Sequence, residues 1–238
     1  MTHTLVITAA GGSSRMGAMG KKEYLTLREE AGGRVSVLSE ALYTFISTGL
    51  FSLAMITVPA DGEELAREVL AQDPRIAEAA RTYNCNIFFT EGGASRQDSV
   101  RRGLESLLLR TGSSRITPST VLIHDGARPW VPADLIERVL SATVTHGAAV
   151  PTIETVDTQK EVDQNGKIVR HLDRSRVFAV QTPQGFRFTE LLEAHRKAAG
   201  DGKTYTDDTE IWGAYAGEVF SCAGDRANRK ITFQGDLP

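Results

Sequence analysis

The sequence predicts an α/β fold, a mostly parallel twisted sheet with helices on both faces and a β-arm protruding from it. Two observations lead there. Short β-branched runs alternate with longer stretches whose apolar residues recur at helical spacing. Such alternation favours parallel strands joined through helices. After Ile153 the rhythm breaks, and a polar stretch around Asn165-Gly166 carries the strongest short hairpin signal.

The elements follow in order. TLVITAA (residues 4–10) reads as a buried strand. Val37, Leu38, Ala41, Leu42, Phe45 and Ile46 stripe a helix. LAMITV (53–58) is a second strand, stopped by Pro59. Asp61 with Glu64 resembles a capping box opening the next helix. NIFFT (86–90) is a third strand, and Val100, Leu104, Leu107 and Leu108 mark the helix after it. TVLIH (120–124) is a fourth strand ending in DGARP. PADLIERVLSATV (132–144) is a helix with proline near its start. GAAVPTI (147–153) is a fifth strand. The arm spans about residues 154–176. A polar hairpin with little to bury is marginal alone, so it must pack on something, and a second subunit is the natural candidate. VFAVQTP (177–183) returns to the sheet; FTELLEAHRKAA and TDDTEIWGAYA (206–216) are helices. EVFSCAG and RKITF close the chain as strands or extended segments. No repeat or linker divides residues 1–238, which read as one domain with an arm.

Composition narrows the function. The formal net charge is -3, so nothing global points to nucleic acid or an anionic membrane, and a local basic cluster must carry any anion binding. The 2 cysteines, Cys85 and Cys222, lie far apart without metal-type spacing, which fits a reducing cytoplasm. The apolar run near the N-terminus is short for a signal peptide, and no stretch reaches the roughly 18 apolar residues of a membrane span.

In a parallel sheet, ligands sit beyond the carboxyl ends of the strands. Three loops fall there: 11–22, 92–99 and 125–129. The first, within AAGGSSRMGAMGKKEYL, is not a Walker loop, since Lys22 stands where serine or threonine should follow Gly20-Lys21 and Arg15 replaces the earlier glycine. It is not a GxGxxG turn either, because Ser13 holds the second glycine position, and this disfavours a dehydrogenase. Gly11 and Gly12 still let the backbone approach a ligand, and Arg15, Lys21 and Lys22 add positive charge, which suits phosphate. The bland alternative is a solvated basic loop. Asp125 in DGARP suits a divalent cation on a triphosphate, or it caps a turn. GGASRQDSV is a ligand loop, or a plain helix cap at Ser95.

Taken in order, AAGxxxRMxxxxxKxYL, HDGARP, DRSR…QTPQ, TDD and NRKIT resemble the cytidylyltransferases of the non-mevalonate isoprenoid pathway over almost the whole chain. Those enzymes join 2-C-methyl-D-erythritol 4-phosphate to CTP and release pyrophosphate. The resemblance implies a Rossmann-like nucleotidyltransferase fold, a single cytidylyltransferase domain, a homodimer through the arm, and Mg²⁺ acting with CTP as co-substrate. It implies that Ala9, Ala10, Gly11 and Gly12 wrap the triphosphate, and that Gly92, Gly93 and Ser99 meet cytosine and ribose. Asp125 would stand near the metal and phosphates, with Arg128 beside it. Arg15 and Lys22 would stabilise the transition state, and Lys230 would hold the sugar-alcohol phosphate. Arg174, with Thr155 at the arm's base, would reach the neighbouring subunit's site, and Thr206 would touch substrate. Ribitol-5-phosphate cytidylyltransferases look similar and remain the alternative; a non-catalytic nucleotide-binding protein is disfavoured by the retained cations.

The chain departs from the family pattern at several points. Lys21 replaces the usual proline, Glu23 the usual glutamine, and HDGARP the usual HDAARP. Residues 28–36 look longer than the usual turn, and QGDL stands where PEDL is common.

Overall fold

The computed structural model describes residues 2–12, 20–30, 32–112 and 117–237. Arg15, Ser13 and Ser14 of the first loop lie outside them.

The chain opens with strand β1 (His3–Thr8), then a hairpin of β2 (Thr26–Glu30) and β3 (Gly33–Ser36), then helix α1 (Val37–Ser47). It continues through β4 (Phe51–Val58), α2 (Glu63–Ala71), α3 (Pro74–Thr82), β5 (Asn86–Glu91), α4 (Arg96–Gly112), β6 (Thr120–Asp125), α5 (Ala133–His146) and β7 (Ala148–Glu154). The arm is the hairpin β8 (Lys160–Val162) and β9 (Ile168–His171). Then come β10 (Phe178–Val180), β11 (Gln184–Arg187), α6 (Phe188–Ala198), α7 (Asp208–Tyr215) and β12 (Phe220–Ala223).

The main sheet runs β10-β7-β11-β6-β1-β4-β5, with β12 also paired to β7. Its centre is parallel: β6, β1, β4 and β5 all run one way. Leu5 and Ile7 of β1 pack with α1, α2, α3 and α5, whereas Val6 packs with α4, α6 and α7. That alternation is the two-residue period of a strand buried on both faces, and it yields the expected three layers.

Several local expectations change. Asp61 does not cap α2: it sits at φ 58°, and Gly62 is the cap residue without a side-chain bond. The segment before β5 holds two helices, the second opened by Asp73, whose carboxylate accepts from the Arg75 amide, with Pro74 next to it. Residues 28–36 are no simple turn but most of the β2–β3 hairpin, tied by Arg34 N–H to the Gln72 carbonyl at 2.8 Å. The expected strand at 177–183 is only β10; β11 then inserts antiparallel between β6 and β7. RKITF joins no ladder; Ile231 donates to the Ala127 carbonyl instead, at 2.8 Å. In the arm, Gly166 at φ 82° closes the turn by donating to the Asp163 carbonyl, a left-handed conformation that favours glycine.

Candidate active site

Parallel register decides where the loops leave the sheet. Thr8 at the end of β1 lies beside Thr57 of β4 and Asp125 of β6. The loops after β1, β5 and β6 therefore open at one edge, around a cavity of about 390 Å³. Of the residues named from the sequence, Ala10, Gly11, Gly12, Lys22, Gly93, Ser99, Asp125 and Lys230 lie on its wall, and Gly92 does not.

The loop after β5 explains its own glycines. A Cβ on Gly92 would collide with that of Ala10, and one on Gly93 with the Asp98 carboxylate. Ser99, buried, accepts from the Gly93 amide at 3.0 Å and donates to the Ser95 carbonyl at 2.8 Å. Ser95 in turn caps α4 by accepting from the Asp98 amide at 3.0 Å. The cap reading and the ligand reading hold together, because the capped N-terminus of α4, with Ser95 and Arg96, faces the cavity. A helix N-terminus favours anions there.

Asp125 sits at the floor. Its carboxylate is 2.6 Å from Lys230 Nζ, 3.5 Å from Arg96 Nε and 3.8 Å from Arg128 Nε. Burial alone would raise its pKa, but Lys230 and Arg96 hold it far below the usual carboxylate range. Its backbone is fixed from behind. The Asp125 amide donates to Thr182 Oγ1 at 3.0 Å, and the Thr182 hydroxyl faces His124 Nδ1 at 3.1 Å. His124 Nε2 lies 3.1 Å from the Arg128 carbonyl. That oxygen can only accept, so Nε2 carries the proton and Nδ1 accepts from Thr182. Burial lowers the His124 pKa to about 4, so the ring is a neutral strut rather than a base.

Of the two lysines of the first loop, Lys22 stands on the cavity wall and Lys21 lies off it. Lys22, on a short turn, donates to the Ile231 carbonyl at 3.0 Å. Lys21 donates to the Gly11 carbonyl at 2.7 Å and lies 3.6 Å from the Glu23 carboxylate. The two unusual residues thus form a pair that fastens the two ends of the first loop together.

The structure separates other candidates from this cavity. Ala9 is buried in the core and shapes the loop only from below. Arg128 donates to the Asn228 carbonyl at 2.7 Å and braces the segment that carries Lys230. Thr206 lies off the wall, its amide donating to Glu210. Thr155 and Arg174 line a second cavity of about 490 Å³ with Phe178 and Arg226, where Thr155 donates to the Val177 carbonyl. Arg96 and Glu23 are the charged wall residues that the motif reading did not select. Among the described residues the wall carries three cations, Lys22, Arg96 and Lys230, against the carboxylates Glu23 and Asp125. The arrangement suits a polyanion.

The family model described as IspD, 2-C-methyl-D-erythritol 4-phosphate cytidylyltransferase, matches residues 3–238. The chain belongs to this family. Among curated relatives, the "Bifunctional enzyme IspD/IspF" of Rhodopseudomonas palustris (strain HaA2) is 40% identical over 236 residues, covering 98% of this chain and 53% of the relative. That of Rhodospirillum rubrum is 38% identical over 232 residues, covering 98% and 54%. The chain spans about half the length of these curated relatives. Among solved structures, the 2-C-methyl-D-erythritol 4-phosphate cytidylyltransferase of Thermus thermophilus is 31% identical, with a TM-score of 0.72, covering 100% of this chain and 96% of that one. The 4-diphosphocytidyl-2C-methyl-D-erythritol synthase of Anaerococcus prevotii is 25% identical, with a TM-score of 0.76, covering 99% and 94%.

Proposed function

We propose that this chain transfers CMP from CTP to 2-C-methyl-D-erythritol 4-phosphate, releasing pyrophosphate. The observation that carries the reading is the convergence of Lys22, Arg96, Lys230 and the α4 N-terminus on one cavity at the carboxyl edge of the sheet. The attacking group is a phosphate oxygen, already an anion, so the reaction needs no general base. The obstacle is repulsion between two polyanions, and fixed cations remove it. Lys22, with Arg15, meets charge building on the α-phosphate and leaving group. Lys230 holds the incoming phosphate at attack distance, a positioning role.

Asp125 is the carboxylate at the floor of the site that would hold Mg²⁺ together with the nucleotide. When this ion binds nucleotide phosphates it takes one or two carboxylates and keeps several waters. Among the described residues no three His, Cys, Asp or Glu come together, so the ion would rely on the nucleotide and on water for most of its ligands. Asp125 is kept ionised by its cationic neighbours. When bound there, the ion would supply charge neutralisation to the triphosphate and to the leaving group. Cys85 and Cys222 are both free thiols, in keeping with a cytoplasmic enzyme.

The test is pyrophosphate release from CTP with a panel of alcohol phosphates. Methylerythritol phosphate is expected to support release. Release with ribitol 5-phosphate alone would reassign the substrate, and release with none would sink the reading.

The same reading makes the arm a dimer contact. Val162, Ile168 and Val169 on the arm are about half exposed, as are Phe178 and Val180 beside it, and Arg174 stands apart from Lys22 within one chain. If Arg174 serves the partner's site, mixing Lys22→Ala and Arg174→Ala protomers should restore about a quarter of wild-type activity on random exchange. Confirmed mixed dimers with no recovery would show that Arg174 acts elsewhere.

A further inference from the structure

Behind the cavity wall lie two buried polar side chains, Asp208 and His195, that the chemistry above does not use. Both are 0% exposed. His195 Nε2 is 3.1 Å from Asp208 Oδ1. Arg96 Nη1 is 2.8 Å from Asp208 Oδ2, and Arg96 Nε is 3.5 Å from Asp125 Oδ1, both ion pairs. The four residues come from α6, the start of α7, the start of α4 and the end of β6. Their meeting is a product of the fold, not of any local motif.

A carboxylate enclosed this fully is costly unless it is paired and hydrogen-bonded. Burial pushes the Asp208 carboxyl up, and Arg96 and His195 together bring it below the usual range. His195 Nδ1 is buried without a partner, so the ring is held through Nε2, whose proton goes to Asp208. Asp208 itself is set by its neighbour. Asp207 caps α7, accepting from the Thr209 amide at 3.0 Å and the Glu210 amide at 3.1 Å, and receives Gln184 Nε2 at 2.9 Å. The TDD motif therefore works through its aspartates: Asp207 caps α7, and Asp208 faces Arg96 from behind.

We propose that Asp208, oriented by His195, is a positioning residue that fixes the Arg96 guanidinium between Asp125 and the cavity, where it meets the nucleotide phosphates. The inference rests on the CTP-dependent reading above. Arginine's planar fork gives it donors to face more than one anion at once. Nη1 faces Asp208 and Nε faces Asp125, so the plane of the guanidinium, and with it the direction of Nη2, is set. Without that anchor the side chain could swing onto Asp125 and compete with Lys230.

The test is equilibrium binding of CTP to the full chain, alongside steady-state kinetics. Asp208→Asn is expected to weaken CTP binding roughly tenfold, as loss of an outer-shell partner does at other sites. The rise should appear in KM for CTP more than in kcat. Arg96→Met should weaken binding at least as much, and Asp208→Asn added to Arg96→Met should cost nothing further. If Asp208→Asn does not fold, His195→Phe removes the donor while keeping the ring volume. It should weaken binding several-fold, and His195→Gln, which can donate to Asp208, should restore it. Unchanged CTP affinity in His195→Phe, or full additivity of Asp208→Asn with Arg96→Met, would overturn the proposal. Wild-type protein that binds CTP but releases no pyrophosphate would instead overturn the assigned reaction. Wild-type protein that binds no CTP would overturn both.

Discussion

Lys22→Ala is expected to lower turnover by about a hundredfold or more, because a preorganised cation at a reacting phosphate is worth about 3 kcal/mol. The fold should survive. Lys22 sits on a short turn at the cavity wall, outside the packed core, and its amine reaches the Ile231 carbonyl at 3.0 Å. The loss should therefore fall on kcat rather than on stability. Pyrophosphate release and a thermal melt, run on the same preparation, separate the two. Near-normal turnover with an unchanged melt would remove Lys22 from the chemistry, whatever else the cavity does.

The second large effect is on stability in acid. His124 is fully enclosed between Phe45, whose ring centroid lies 4.8 Å away, the Thr182 hydroxyl and the Arg128 carbonyl. Burial holds its folded pKa at about 4, against 6.5 for an ordinary imidazole. Between those values the unfolded chain binds the extra proton and the folded chain does not. Stability should therefore fall as pH drops from 6.5 toward 4, and the gap corresponds to about 3 kcal/mol. Asp125 and Asp208 act in the same direction at lower pH, since their folded carboxyls lie below the ordinary range and lose their ion pairs once protonated. Urea midpoints across pH 7, 5.5 and 4.5 should show the decline. His124→Gln, which does not titrate, should flatten its upper part. Equal slopes in the two proteins would show that His124 is not the group responsible.

Much of the scaffold is legible because it rests on local periodicity. The strands β1, β4, β5, β6 and β7 and the helices α1, α4, α5 and α6 lie within a few residues of their expected places. The antiparallel β11 is not legible, since QGFR carries no alternation and becomes a strand only because β6 and β7 leave a gap for it. The helix α3 has a start signal in Asp73-Pro74, masked by the apparent capping box at Asp61. Within the site, glycines and strand-end residues announce themselves by type and place. Arg96 stands inside a recognisable motif but looks like a first-turn surface residue. Nothing near it in sequence says that Asp208, over a hundred positions on, completes its surroundings.

The sequence by itself therefore determined the layered α/β scaffold, the sheet edge at which the three candidate loops leave the strands, the basic residue types placed near it, and the family to which the order of motifs belongs. Each follows from residue type and short-range spacing. Only the tertiary structure decided the rest. It made Lys21 and Glu23 a clasp on the first loop, turned Arg128 inward as a brace, and set Arg174 in a separate cavity. It also enclosed His195 and Asp208 behind Arg96. The reason is that a buried charge takes its meaning from whichever partner the fold delivers, and those partners lie on other strands and helices.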